Sequence, residues 1–247
     1  MELWPAIDLF RGRAVRLHQG DYDQVTVYHD DPAALASSWR GVARHLHVVD
    51  LEGARSGRRI ESELVRKIVE AFGPGVEVGG GVRDRTAIES YLALGAERVV
   101  LGTAAIRDQA LVREAAAAYP GRIVLALDAK DGLVATDGWL AVSTVTAVEV
   151  VRELADLPIA AILYTDIARD GTRVGPNIEA TARLAEQGGL PVLASGGIAT
   201  LDDLRRLSAR PGIVGAIVGR ALYEKSFTLE DAVRVAEGEG VSSKAAP

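Results

Sequence analysis

The sequence predicts an α/β protein whose strands close into a parallel barrel, and three observations carry that prediction. Eight short, apolar, β-rich runs alternate with helix-like segments along the chain: LWPAID, HLHVVDL, GVEVG, RVVLG, RIVLALD, IAAILYTD, PVLAS and GAIVG. Strands and helices in strict alternation form parallel sheets, and eight such units suit a (β/α)8, or TIM, barrel. The chain also repeats itself: VEVGGGVRDRTAIESYLALGAERVVLGTA aligns with PVLASGGIATLDDLRRLSARPGIVGAIVGRA, and PAIDLFRGRAV aligns with LALDAKDGLVA. A two-half-barrel internal repeat favours closure with pseudo-twofold symmetry. Finally, no Gly-x-Gly-x-x-Gly follows the first strand, which counts against the alternative, an open dinucleotide-binding sheet.

Helix starts are marked in order by Asp31-Pro32, Asp84, Asp108, Ser143 and Thr200, each placed as an N-cap before an amphipathic stretch. Three connections are longer than a barrel needs: residues 10 to 31, 129 to 142 and 167 to 176. All three leave the C-terminal ends of strands, where barrels keep their active sites, and loops of such length often bind or cover ligands. With 247 residues the chain reads as one barrel domain over 1–247, its half-barrels at 1–120 and 121–238. Residues 239–247 are expected to form a flexible tail.

Composition narrows the functions. A net charge of -6 argues against nucleic acid as a partner, while leaving small anions open to capture by backbone amides. The absence of cysteine rules out disulfides, thiolate metal sites and cysteine nucleophiles. The four histidines lack metal-ligand spacing, so no metal is expected. No signal peptide and no long apolar span is visible, so a soluble, cytoplasmic protein without membrane contact is expected. A closed barrel exposes no sheet edge, which favours a monomer.

Paired glycines mark candidate anion sites. A strand ending in Gly-Gly, or in Gly ahead of a helix, lets the backbone approach a ligand and aims N–H groups at it. Gly196-Gly197 and Gly219-Arg220 end strands seven and eight, the usual phosphate loops of a barrel. The repeat puts Gly80-Gly81 and Gly102-Thr103 in the matching loops of the other half, so a second cradle is expected across the mouth. Two cradles suggest one small ligand with two phosphates. Arg83, just after the glycines, is read as a charge-assisted ligand contact or as a solvated cation at a helix start.

Asp8 and Asp128 end strands one and five, which face each other across an eight-stranded barrel and lie between the cradles. Two carboxylates aimed at the middle of a sugar phosphate suit general acid-base chemistry when their environments push their pKa values apart. The plainer alternative is that each caps its own loop. Thr165 ends strand six, and Asp170 with Gly171 lies on a loop able to close over the site. Asp50 and Asp166 also end strands and are expected to order loops. Trp139 is read as a packing anchor or as a stacking partner for a flat heteroaromatic group. His47, on strand two, lines the mouth or is a satisfied core histidine.

These segments converge on a known family. PAIDLFRGRAVRLHQGDY, HVVDLEGA, VGGGVR, VLGTAAI, ALDAKDG, YTDIARDGT with VGPN, SGGI and GRALYE together resemble the phosphoribosylformimino-aminoimidazole carboxamide ribotide isomerases of histidine biosynthesis, from residue 3 to about residue 237. The resemblance implies an Amadori rearrangement, in which an aminoaldose phosphate opens, loses a proton from C2 and becomes an aminoketose, with no cofactor and no metal. The substrate implied carries a phosphate at each end. Carried over, Asp8 is the base at C2 and Asp128 the proton donor, with Asp170 competing as the ring-opening acid and Thr165 as a supporting hydrogen-bond partner. Trp139 becomes the stacker on the aminoimidazole, His47 and Arg83 become substrate contacts, and Gly20 and Gly171 join the substrate-binding loop glycines. Two departures are visible: Glu52 where Asp is frequent, and Lys225 where Gly is common.

Three rivals remain. The sister cyclase shares barrel and cradles but typically opens with CLD and VVKG, whereas this chain reads AIDLFRGRAVRLHQG. A bifunctional isomerase acting also on phosphoribosyl anthranilate needs extra Arg contacts from loops one and five, and KDGLVATDGWLAV offers none. A non-catalytic phosphosugar-binding barrel has no need of Asp8, Asp128, Thr165 and Asp170 together.

Overall fold

The computed structural model describes residues 1–18, 20–136 and 141–239. In chain order its strands are β1 (Glu2–Phe10), β2 (Arg13–His18), β3 (Asp21–His29), β4 (Leu46–Asp50), β5 (Val76–Gly79), β6 (Arg98–Leu101), β7 (Ile123–Lys130), β8 (Leu133–Thr136), β9 (Ala141–Thr146), β10 (Ala161–Asp166), β11 (Val192–Ser195) and β12 (Ile213–Val218). The helices are α1 (Pro32–Trp39), α2 (Leu51–Ser56), α3 (Ser62–Phe72), α4 (Arg85–Ala93), α5 (Ala104–Arg107), α6 (Gln109–Ala118), α7 (Ala147–Glu153), α8 (Ile178–Gly188), α9 (Leu201–Ser208), α10 (Arg220–Tyr223) and α11 (Leu229–Ala236). Strands β1, β4, β5, β6, β7, β10, β11 and β12 pair in parallel in that order, and β12 returns to β1. The eight apolar runs therefore close into a (β/α)8 barrel.

Alternation along each barrel strand divides two apolar layers. Residues turned inward, among them Trp4, Ala6, Val100, Val124, Leu163, Leu193 and Ile217, fill the barrel interior. Their neighbours turned outward, such as Ile7, Val48, Val78, Leu125 and Ile162, pack under the helices in a larger cluster. A period of two with both faces buried is why these strands read as nearly continuous apolar runs. Trp4 is wholly buried and takes His45 as a stacked neighbour at 4.3 Å and Arg98 over its ring at 5.1 Å.

The helix-start signals hold at four of five places. Asp31, Asp84, Asp108 and Thr200 each accept a backbone N–H from the first turn of their helix, an interaction worth about 1 kcal/mol apiece. Ser143 does not cap a helix. It lies within β9, and α7 begins after Thr146, which forms a capping box with Glu149. The two long connections after β1 and β7 are not irregular loops but β-hairpins, β2–β3 and β8–β9, laid on extensions of the barrel strands. Each is entered through a two-residue turn with both residues at positive φ: Arg11 and Gly12 at 52° and 76°, Asp131 and Gly132 at 54° and 82°. That is the type I′ geometry matching strand twist. Among the described residues no helix is long and apolar enough to cross a membrane.

Candidate active site

A cavity of about 270 Å³ opens at the C-terminal ends of the barrel strands. Its floor follows from strand periodicity, since Asp8, His47, Gly79, Val100, Asp128, Leu163, Thr165 and Ile217 all occupy inward positions on their strands. All four candidate chemical residues, Asp8, Asp128, Thr165 and Asp170, thus meet in one space. Asp128 and Thr165 are register partners on β7 and β10. Of the candidate binding residues, Gly20, His47, Gly80, Gly102, Gly171, Gly196, Gly197, Gly219 and Arg220 also line it. Gly81, Arg83 and Thr103 do not. Arg83 is exposed, with its guanidinium folded over Gly57 at the end of α2. Trp139 lies outside the described residues.

One close ion pair in the site was missed by sequence reading. Arg16, on the hairpin strand β2, places Nη1 2.6 Å from Asp8 Oδ2 and Nη2 3.1 Å from the Ala6 carbonyl. Tyr223 donates its hydroxyl to the same carbonyl at 2.9 Å, and the Arg16 guanidinium lies over its ring at 5.7 Å. Burial works against the Arg16 charge, yet Asp8, Tyr223 and Asp170 around it raise its pKa above the ordinary value. Tyr223 shifts upward, chiefly because burial disfavours phenolate. The signal for Arg16 was present: a two-residue turn at Arg11-Gly12 folds Val15 back onto Asp8 and leaves Arg16 beside it.

Asp170 stands in the same electrostatic neighbourhood. Burial, together with the charges of Asp8 and Asp128, raises its pKa from 3.8 to about 6 against the opposing pull of Arg16. A carboxyl shifted this far holds its proton closer to neutrality than an exposed aspartate does. Its loop is fastened from outside. Arg220 donates to the Gly171 carbonyl, and Arg173 bonds Glu224 at 2.6 Å and Ser226 at 2.9 Å. Glu224 also receives Arg220 at 2.5 Å and the Tyr28 hydroxyl of β3 at 3.2 Å, so loops one and six meet on one carboxylate.

Asp50 and Asp166 serve their loops. Asp50 accepts from the backbone N–H groups of Gly53, Ile60 and Glu61. Asp166 accepts from Ala168 N and from Asn177 Nδ2 at 2.6 Å. Glu52 accepts from Arg11 N at 2.9 Å, tying loop two to the first hairpin turn. Among the described residues no cluster of metal-binding side chains occurs.

A closed barrel with four polar side chains converging at its C-terminal mouth defines the class: a (β/α)8 protein with an enzyme-type site. Comparison with known proteins narrows it. The Histidine biosynthesis protein family matches over residues 2–228, and the chain belongs to this family, as an enzyme of its isomerase branch. A relative from Sorangium cellulosum (strain So ce56), named 1-(5-phosphoribosyl)-5-((5-phosphoribosylamino)methylideneamino) imidazole-4-carboxamide isomerase, is 60% identical over 239 residues, covering 96% of this chain and 99% of its own. Relatives of the same name from Rhizorhabdus wittichii and Hahella chejuensis are 51% and 48% identical, covering 96% and 94% of this chain and 98% and 97% of theirs.

Proposed function

We propose that the chain isomerises the bisphosphorylated aminoaldose named in its relatives to the corresponding aminoketose, with Asp8 as base and Asp170 as acid. The observation that carries this reading is the convergence of Asp8, Asp128 and Asp170 on one cavity flanked by Gly80 on one side and Gly196-Gly197 on the other. Backbone N–H groups at those turns would hold the two phosphates, leaving the sugar carbons over the carboxylates.

Asp170 gives its proton to the ring oxygen as the C1–O bond breaks, leaving a protonated imine at C1. Asp8 then removes the proton from C2. Asp8 returns its proton to C1 while the C2 hydroxyl gives its own to the Asp170 carboxylate, so the enol becomes the C2 ketone, the C1 nitrogen becomes an amine and both carboxyls regain their starting states. Arg16 engages Oδ2 of Asp8, which fixes the carboxylate and leaves Oδ1 for the C2 proton. Asp128 supports the acid, since its charge is among the forces that raise the Asp170 pKa.

The test is incubation of the purified protein with the formimino ribotide, with anthranilate ribotide, and with ammonia plus the ketose. Conversion of the first to its ketose isomer is expected. Turnover only of the third would transfer the chain to the cyclase reaction, and turnover of none would leave a binding barrel.

A further inference from the structure

Within the barrel lies an ionisable pair that the proton transfers above do not use. His47 on β4 and Glu77 on β5 are register partners with both side chains turned inward, and His47 Nδ1 lies 2.6 Å from Glu77 Oε1. Glu77 is wholly buried, while 6% of His47 remains accessible and lines the cavity. The second oxygen of Glu77, Oε2, is buried without a hydrogen-bond partner. On the other side of Glu77 its register partner is Arg98, whose guanidinium is directed to Glu2 and Glu97 at 3.6 and 3.9 Å. Among the described residues the hydrogen-bond partner of Glu77 is therefore His47, and it reaches the site.

A wholly buried carboxylate is costly, and an apolar residue of similar size would serve packing as well or better. What Glu77 adds is control of an imidazole. The group bonded to one ring nitrogen decides which nitrogen carries the proton and where the other points.

We propose that Glu77 is a positioning residue for His47: it holds the proton on Nδ1 and fixes the ring plane, so that Nε2 is the nitrogen presented to a polar oxygen of the substrate. The effect on turnover rests on the function proposed above, whereas the state of the ring does not. Glu77→Gln keeps an oxygen for Nδ1–H to donate to, and Glu77→Leu removes it.

Long-range ¹H–¹⁵N spectra of the histidine-labelled full chain, without ligand, read the ring directly. His47 is expected to carry its proton on Nδ1 in the wild type and in Glu77→Gln, and to shift toward the Nε2-protonated form in Glu77→Leu. Against the aminoaldose, Glu77→Leu is expected to lose about tenfold in kcat/KM, mostly through KM, and Glu77→Gln to stay within about threefold. In a His47→Ala background Glu77→Leu should cost nothing further. Glu77→Met replaces the Leu variant if the latter does not fold. A wild-type ring spectrum in the Leu variant, equal losses for Leu and Gln, or an undiminished Leu effect without His47 would overturn the proposal. A wild type inactive on the aminoaldose would count against the function alone, since the ring spectra still decide the pair.

Discussion

Gly80 and Gly196 stand at equivalent turns, after the third and the seventh barrel strands, with φ of 102° and 90°. Each is backed by the carbonyl of an aspartate one strand away, Asp50 for the first and Asp166 for the second, and each is followed by a second left-handed glycine at 69° or 82°. The hairpin turns at Arg11-Gly12 and Asp131-Gly132 match in the same way. Backbone is thus duplicated around the mouth, and so is the pair Asp8 and Asp128, but Arg16 and Asp170 are not. Asp8 has Arg16 against it, and the Arg16 guanidinium fills the space beside Gly219, whereas the sister position at Gly102 opens on nothing within 4 Å. Asp170 and Glu224 likewise belong to the second half, with Tyr28 of the first half reaching across to Glu224. On the proposed function a repeated frame would hold two like phosphates, while the reaction between them would need unlike groups, an acid and a base.

The largest effect that would sharpen this contrast is expected at the acid. Asp170→Asn should lower kcat by roughly 10²–10³-fold, measured in steady state, and a loss below tenfold would take Asp170 out of proton transfer. The same variant carries a stability signature of known sign. Burial first, and the neighbouring carboxylates second, raise the Asp170 pKa from 3.8 to about 6, so the folded chain holds a proton in that window that the unfolded chain has released. Ionised Asp170 therefore subtracts stability progressively between about pH 4 and pH 6 and in full above it. Asp170→Asn should be more stable than the wild type by on the order of 2 kcal/mol near pH 7.5, with the gap closing near pH 4 in thermal melts.

Symmetry of the frame is tested by the two turns. An added methyl at Gly196 would meet the Asp166 carbonyl oxygen at 2.9 Å, and at Gly80 the Asp50 carbonyl lies closer still. Both residues also have positive φ, so Gly80→Ala should cost about 3 kcal/mol and Gly196→Ala about 2 in urea unfolding. The reverse ranking would show that the second turn is the more constrained. The smallest effect is expected at Lys225, a non-glycine held at φ 55° beside Glu224. Lys225→Gly should stabilise by about 0.5–1 kcal/mol while leaving kcat unchanged.

Most of the barrel was legible because its signals are local: alternation in the eight runs, Asp and Thr ahead of helices, Gly-Gly at strand ends. Ser143 misled because β9 runs through it, and the capping box at Thr146 and Glu149 was the better mark. Arg83 shows how far sequence adjacency reaches. It follows the glycines in sequence, but its side chain turns to α2. Arg16 could have been found from the Arg11-Gly12 turn that brings it back to Asp8, whereas Glu77 was hidden for a different reason: its partner His47 lies on another strand, and register between strands is not written in composition. The family's common Gly at position 225 now has a backbone cause, since left-handed φ disfavours a side chain there.

The most direct test is Asp8→Asn, assayed in parallel for binding and for turnover of the bisphosphorylated aminoaldose. The amide keeps the shape of the side chain and an oxygen for Arg16 to donate to, but cannot take the C2 proton. Affinity within about threefold of the wild type, with kcat reduced by roughly 10³-fold or more, is the expected result. Near-normal turnover would contradict the assignment of Asp8 as the base.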